Sequence, residues 1–172
     1  MTSLIDPKKY TKTLDLLRSF FLAKNFYEVH TQNRLSILAA CEDPETVATY
    51  NYGGNIWPLP QTGQMWLEYE LLKNPEAPGF FCLSTSYRAE PNPVPGRHET
   101  IFPMFEFEMH GDVHDLKVME IELCEHLGIP LDPENIKTYG EWQDKYSVRE
   151  LDHGHEAAIG RGMITEFPEW TS

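Results

Sequence analysis

The sequence predicts an α+β fold, an antiparallel β-sheet flanked by helices, and three stretches carry that expectation. Tyr10, Leu14, Leu17 and Phe21 recur at helical intervals and form one apolar stripe. Two apolar-rich runs, FFCLSTSYRAE from Phe80 and RHETIFPMFEFEMHG ending at Gly111, flank PNPVPG, the pattern of antiparallel strands joined by a hairpin. Beyond them Leu116, Met119, Leu123 and Leu127 repeat the helical spacing.

Taken in order, each element has a local cause. Asp6-Pro7 supplies an N-cap and a proline suited to the first helical position, and Asn25 supplies a stop. FYEVHTQNRLSI then reads as a strand, and CEDPETVATYNY as an acidic turn followed by β-like residues. LPQTGQMWLE opens a helix in which Met65, Tyr69 and Leu72 have helical spacing, with Lys73-Asn74-Pro75 as its end. Asp112 caps the helix of the second stripe, and Gly128 and Pro130 close it. Residues 131–160 read as a loop followed by short helices.

The central hairpin is the informative stretch. Side chains two apart share a strand face. Arg88 and Glu90 therefore point one way, and Phe102, Met104, Glu106 and Glu108 share a face opposite Ile101, Pro103, Phe105 and Phe107. One face is oily and suits a core. The other carries an arginine, carboxylates and an aromatic ring, with Arg97 and His98 returning over it from the proline-rich loop. Two guanidiniums, an imidazole and a stacking ring suit an anionic, aromatic ligand such as a nucleotide.

Composition narrows the classes. At 172 residues the chain reads as one domain spanning 1–172, with ordinary hydrophobic (41%) and aromatic (12%) content. No apolar run is long enough for a membrane helix, and MTSLIDPKKY has no apolar core of a secretory signal. Cys41, Cys82 and Cys124 are odd in number and far apart, which fits reduced thiols in a cytoplasmic protein. A net charge of −13 disfavours a broad nucleic-acid surface on this chain. His110 with His114, and His153 with His155, have no third ligand positioned, so no metal site is assigned.

YRAE, a short loop, Arg97-His98, then Phe102 and a spaced Glu-x-Glu resembles the motif 2 hairpin of class II aminoacyl-tRNA synthetases. The subgroup it resembles is aspartyl/asparaginyl/lysyl, with the archaeal-type asparagine synthetase relatives. Residues 7–36 resemble motif 1, the segment 59–73 resembles the substrate-binding Gln segment, and motif 2 spans about 80–111. The resemblance implies ATP as substrate, with Arg88 on the α-phosphate as the catalytic cation, Arg97 and His98 on the outer phosphates, Phe102 under adenine and Glu90 nearby. It implies Glu42 (with Glu45 a second candidate), Gln61, Gln64 and Glu106 toward the amino acid. It further implies a homodimer built on motif 1.

Three departures stand out: Ile101 where the family usually has Glu, Gln32 where it has Pro, and Leu67 where aspartate-selective members have Lys. The last points to an asparaginyl or asparagine-synthetase type. The expected activity is formation of an aminoacyl-adenylate from aspartate or asparagine, passed to ammonia or to tRNA. Acidity, and a chain starting at the motif 1 helix, favour ammonia. The chain stops before the family's motif 3 and most of its Mg²⁺ ligands, so a catalytically inactive module that dimerises or senses an amino acid stays open. So does an unrelated α+β domain with a similar hairpin.

Overall fold

Asp6 starts the first helix, its carboxylate accepting from the Lys8 and Lys9 amides, and Pro7 occupies the first helical position. This helix, α1 (Pro7–Ala23), ends where Asn25 turns left-handed at φ 63°. The computed structural model describes residues 5–31, 39, 42–95 and 98–168. The chain divides into two compact units, Met1–His110 and Gly111–Ser172, where the sequence reads as one domain.

In the first unit α1 is followed by β1 (Tyr27–Glu28), a 3-10 turn (Pro44–Thr46), β2 (Thr49–Tyr52), β3 (Asn55–Pro58), α2 (Gln64–Lys73), β4 (Phe80–Tyr87) and β5 (Ile101–Glu108). The main sheet has the order β1-β4-β5. β4 and β5 are antiparallel as expected, with Tyr87 opposite Ile101 and Phe80 opposite Glu108; β1 joins β4 in parallel, so the sheet is mixed. Proline-bearing β5 is the outer strand, Pro103 lying opposite Thr85. The connection is longer than PNPVPG alone, running from Arg88 to Thr100, and Glu90 falls in it rather than on the strand.

The predicted alternation holds. Phe21, wholly buried, meets Phe81, Phe105 and Phe107 with ring centroids 5.6, 5.4 and 4.9 Å away, so α1 covers the oily face. Removing such a ring costs about 3–5 kcal/mol, which makes Phe21 the hub of this core. On the other face Leu67 packs with Phe80 and Cys82. The helix α2 thus buries Leu67 and half-buries Leu71, while Tyr69 and Leu72 are 47% and 81% exposed. That corrects the stripe of Met65, Tyr69 and Leu72. It also makes Leu67 a core residue.

β2 and β3 form a separate hairpin about Gly53 and Gly54, whose φ values of 60° and 77° only glycine adopts without strain.

The second unit holds α3 (Val113–His126), a 3-10 turn (Pro133–Asn135), β6 (Ile136–Thr138), α4 (Tyr139–Tyr146), α5 (His153–Ile159) and β7 (Met163–Thr165). Its α-helices all begin at capping boxes: Asp112 with Asp115, Thr138 with Glu141, and Asp152 with His155. Amides donated to Asp112 and Asp152 hold both carboxyls below the usual range. Tyr139, Trp142, Leu151 and Ile159 make this unit's own core, and β6 pairs with β7 in parallel. No helix among the described residues is long and apolar enough to cross a membrane.

Candidate nucleotide and amino-acid site

Pairing sets the site face. Cys82 lies opposite Glu106, Ser84 opposite Met104 and Ser86 opposite Phe102, so all six side chains emerge on the face away from Phe21. Arg88 follows directly after β4. Its guanidinium carbon sits 5.9 Å from the Phe102 ring centroid, and its Nε donates to the Ser86 hydroxyl at 3.4 Å. Both Arg88 and Phe102 are half-buried, so each keeps an open side toward a ligand.

The backbone beneath Arg88 is pinned from two sides. The Arg88 N–H donates to the Thr100 carbonyl at 2.8 Å, extending the β4–β5 ladder by one rung. The neighbouring amides face the other way: Tyr87 N–H donates to the Pro60 carbonyl at 2.9 Å and Ala89 N–H to the Thr46 carbonyl at 2.8 Å. Val47 pairs with Arg88 as an isolated antiparallel bridge.

Further along the same face Glu106 is an anchor. Its carboxylate accepts from the Gly63 amide at 2.7 Å, the Ser84 hydroxyl at 2.8 Å, the Thr62 hydroxyl and, at 3.9 Å, the Cys82 thiol. Three of these donors crowd Oε2, and the Thr62 hydroxyl meets Oε1. Glu106 therefore fixes the start of α2, while its Oε1, bonded to the Thr62 hydroxyl, keeps room for a further donor. Gly63 allows this approach: a Cβ there would stand 2.6 Å from the Cys82 sulfur. Burial, with the adjoining Glu106 carboxylate, pushes the Cys82 thiol up to about 12, so it stays a neutral thiol.

Gln61 is also committed. Wholly buried, it accepts from the Asp43 amide at 3.0 Å and donates to the Asp43 carbonyl at 2.9 Å and the Thr46 hydroxyl at 3.1 Å. The side chain that the resemblance expects toward the amino acid thus holds the 43–46 turn. Glu42 accepts from the Ala39 amide at 2.7 Å, closing a turn of its own segment, and Glu45 is exposed. Gln64 donates to Glu108, whose carboxyl is pushed up by burial and by the nearby Glu68 and Glu106 charges, against the lowering effect of the Gln64 bond. The sequence puts Glu108 beside Glu106 without giving it a role; the period-two spacing was the available signal.

His98 is exposed and closes the loop on itself. Its amide donates to the Val94 carbonyl at 2.9 Å, and its Nδ1 accepts from the Val94 amide at 3.3 Å. In the neutral ring the proton then sits on Nε2, which can donate to an anion. Glu90 is half-buried in the same loop. Arg97 lies outside the described residues, as does Gln32. Among the described residues no three carboxylates, imidazoles or thiols gather as a metal ion would need. A cleft of about 380 Å³ takes in Tyr10, Pro60, Leu83, Tyr87 and Pro103 and also Ser84, whose hydroxyl bonds Glu106, so residues of both strand faces line it.

No protein-family model matches the chain, and no curated protein matches its sequence. Solved structures do share its fold. Asparaginyl-tRNA synthetase from Entamoeba histolytica in complex with asparaginyl-adenylate aligns over 92% of this chain at 17% identity and a TM-score of 0.71. Asparaginyl-tRNA synthetase from Pyrococcus horikoshii, also complexed with asparaginyl-adenylate, aligns over 85% at 20% identity and 0.66. A putative aspartyl-tRNA synthetase from Leishmania major Friedlin aligns over 87% at 17% identity and 0.54. The chain spans 42%, 39% and 24% of those proteins. What they share with it at such identities is a partial synthetase-like α+β core.

Proposed function

We propose that this chain is the nucleotide-binding part of a ligase that activates an amino acid of the aspartate or asparagine type with ATP. The observation that carries the reading is the juxtaposition of Arg88 and Phe102 on the polar face of a β4–β5 ribbon. It gains support from a fold shared with synthetases solved holding asparaginyl-adenylate. In this reading the amino-acid carboxylate attacks the α-phosphorus of ATP, the bond to the leaving oxygen breaks, and pyrophosphate departs. Arg88 neutralises charge on the α-phosphate as it becomes pentavalent. Phe102 stacks on adenine, and Arg97 and His98 hold the outer phosphates. Glu90 stays near the nucleotide, while Gln64, with Glu42 and Glu108, faces the amino acid.

Ammonia or a tRNA hydroxyl would then attack the adenylate carbonyl and release AMP. The net charge of −13 favours ammonia over a polyanion. Mg²⁺ would accompany ATP, and among the described residues no three carboxylates, imidazoles or thiols gather to hold it. The reading includes a cytoplasmic homodimer built on α1 and the segment after it, checked by light scattering of the purified chain.

Amino-acid-dependent exchange of pyrophosphate into ATP tests the reaction, with aspartate and asparagine compared. Ammonia-dependent asparagine formation, set against charging of total tRNA, separates the two acceptors. A second reading, a synthetase-like module that senses or dimerises without turnover, is favoured by the internal commitment of Gln61 and Glu106. ATP heat in calorimetry without exchange supports a sensor; no heat with ATP and Mg²⁺ leaves a pure interaction module.

A further inference from the structure

Two separate pieces of backbone form the wall against which Arg88 rests. Thr46 receives the Ala89 amide and Pro60 receives the Tyr87 amide. The β2–β3 hairpin lies between them, and its last rung is the Leu59 amide on the Ala48 carbonyl at 2.8 Å. Beyond that rung the pieces must be held by side chains. Gln61 directly follows Pro60 and spends its amide on Asp43 and Thr46. Gln61 and Thr46 are 0% and 4% exposed, so these bonds form away from competing water.

We propose that Gln61 is a positioning residue for Arg88: its side-chain amide rivets the 43–46 turn to Pro60, and the two together hold the backbone of residues 87–89. The proposal rests on the reading of Arg88 as the phosphate-binding cation. Its physical core is that a bond broken at Gln61 is felt at Ala89, which Gln61 does not touch. A guanidinium that must meet a phosphate in one geometry depends on a fixed base, because small misplacements cost large factors in rate.

Hydrogen exchange followed by NMR on the full chain tests it, with Gln61→Leu and the size-conserving Thr46→Val. Each variant is expected to speed exchange at the Ala89 amide about tenfold or more, while the amides that bond β4 to β5 keep their protection. Unchanged protection at Ala89 in both variants overturns the proposal. So does an equal loss across β4 and β5, which would mark general destabilisation. Should Gln61→Leu fail to fold, Thr46→Val alone decides in the same way. Titration with ATP and Mg²⁺ provides the functional arm: Gln61→Leu is expected to weaken binding about tenfold, and undiminished affinity overturns the link to Arg88. Absence of ATP binding in the native chain instead sinks the nucleotide reading, while exchange at Ala89 still decides whether Gln61 acts as the rivet.

Discussion

Arg88 and Phe102 face each other across the end of the β4–β5 ribbon, 5.9 Å from guanidinium carbon to ring centroid. They are fourteen residues apart in sequence, and the pairing of Ser86 with Phe102 brings them together. The ring steadies the cation on one side and leaves the other for an anion.

Arg88→Ala should abolish amino-acid-dependent pyrophosphate exchange, and Arg88→Lys should lower it by about 10²–10³-fold, because an ammonium cannot reproduce a bidentate fork. Phe102→Leu should weaken ATP binding about tenfold, with a smaller effect on the amino acid. Near-native exchange in Arg88→Ala would remove the residue from the chemistry.

Glu106→Ala leaves the Gly63 amide and the Thr62 and Ser84 hydroxyls without their acceptor. The expected loss of stability is about 2–4 kcal/mol, measured by urea unfolding. Glu106→Gln should cost less, since its amide oxygen can still meet Gly63 and Ser84 while its NH₂ turns to the Thr62 hydroxyl. A loss below about 0.5 kcal/mol in both variants would show that the anchor carries no weight.

A methyl group at position 63 would meet the Cys82 sulfur at 2.6 Å, the Thr31 methyl at 2.9 Å and Glu106 Oε2 at 3.1 Å. Gly63→Ala should therefore cost about 1–3 kcal/mol, and Cys82→Ala should relieve part of that cost in the double variant. With its thiol pushed up to about 12, Cys82 should also resist a thiol reagent at pH 8 until the protein is unfolded. Strict additivity of the two substitutions, or rapid labelling of native Cys82, would contradict the packing described.

Glu108 titrates above the ordinary carboxyl value of 4.5, chiefly through burial. The folded chain thus holds this proton more tightly than the unfolded chain. Its stabilising contribution is complete below 4.5 and is lost as pH rises through the folded value. The melting temperature of Glu108→Gln relative to the native chain should therefore climb between pH 4 and neutrality. A gap that stays constant or shrinks across that range would reverse the sign.

What the sequence made legible was local. Asp6 and Asp112 sit where caps are needed, and each helix begins there because the partner amides are two and three residues on. The two faces of β4–β5 were readable because alternation is a property of the strand itself, and Phe105 and Phe107 do meet Phe21. The buried side of α2 was not readable. Tyr69 and Leu72 have helical spacing as good as that of Leu67 and Leu71, and the choice is made by Glu106 gripping Gly63 from 43 residues away. The bonds of Gln61 were hidden for the same reason: its partners Asp43 and Thr46 are 18 and 15 residues distant. The strands β6 and β7, three residues each, are too short for any period to register.

Pro103 has one more effect. With Arg88 and Thr100 forming a bonded rung, alternation turns the backbone nitrogen of residue 103 outward, toward the margin of the sheet that pairs with no strand among the described residues. A foreign strand laid along that margin meets donors at 101, 105 and 107 and a gap between them. Fibril-like stacking on this border is discouraged at its midpoint, and any legitimate newcomer must tolerate one missing bond there.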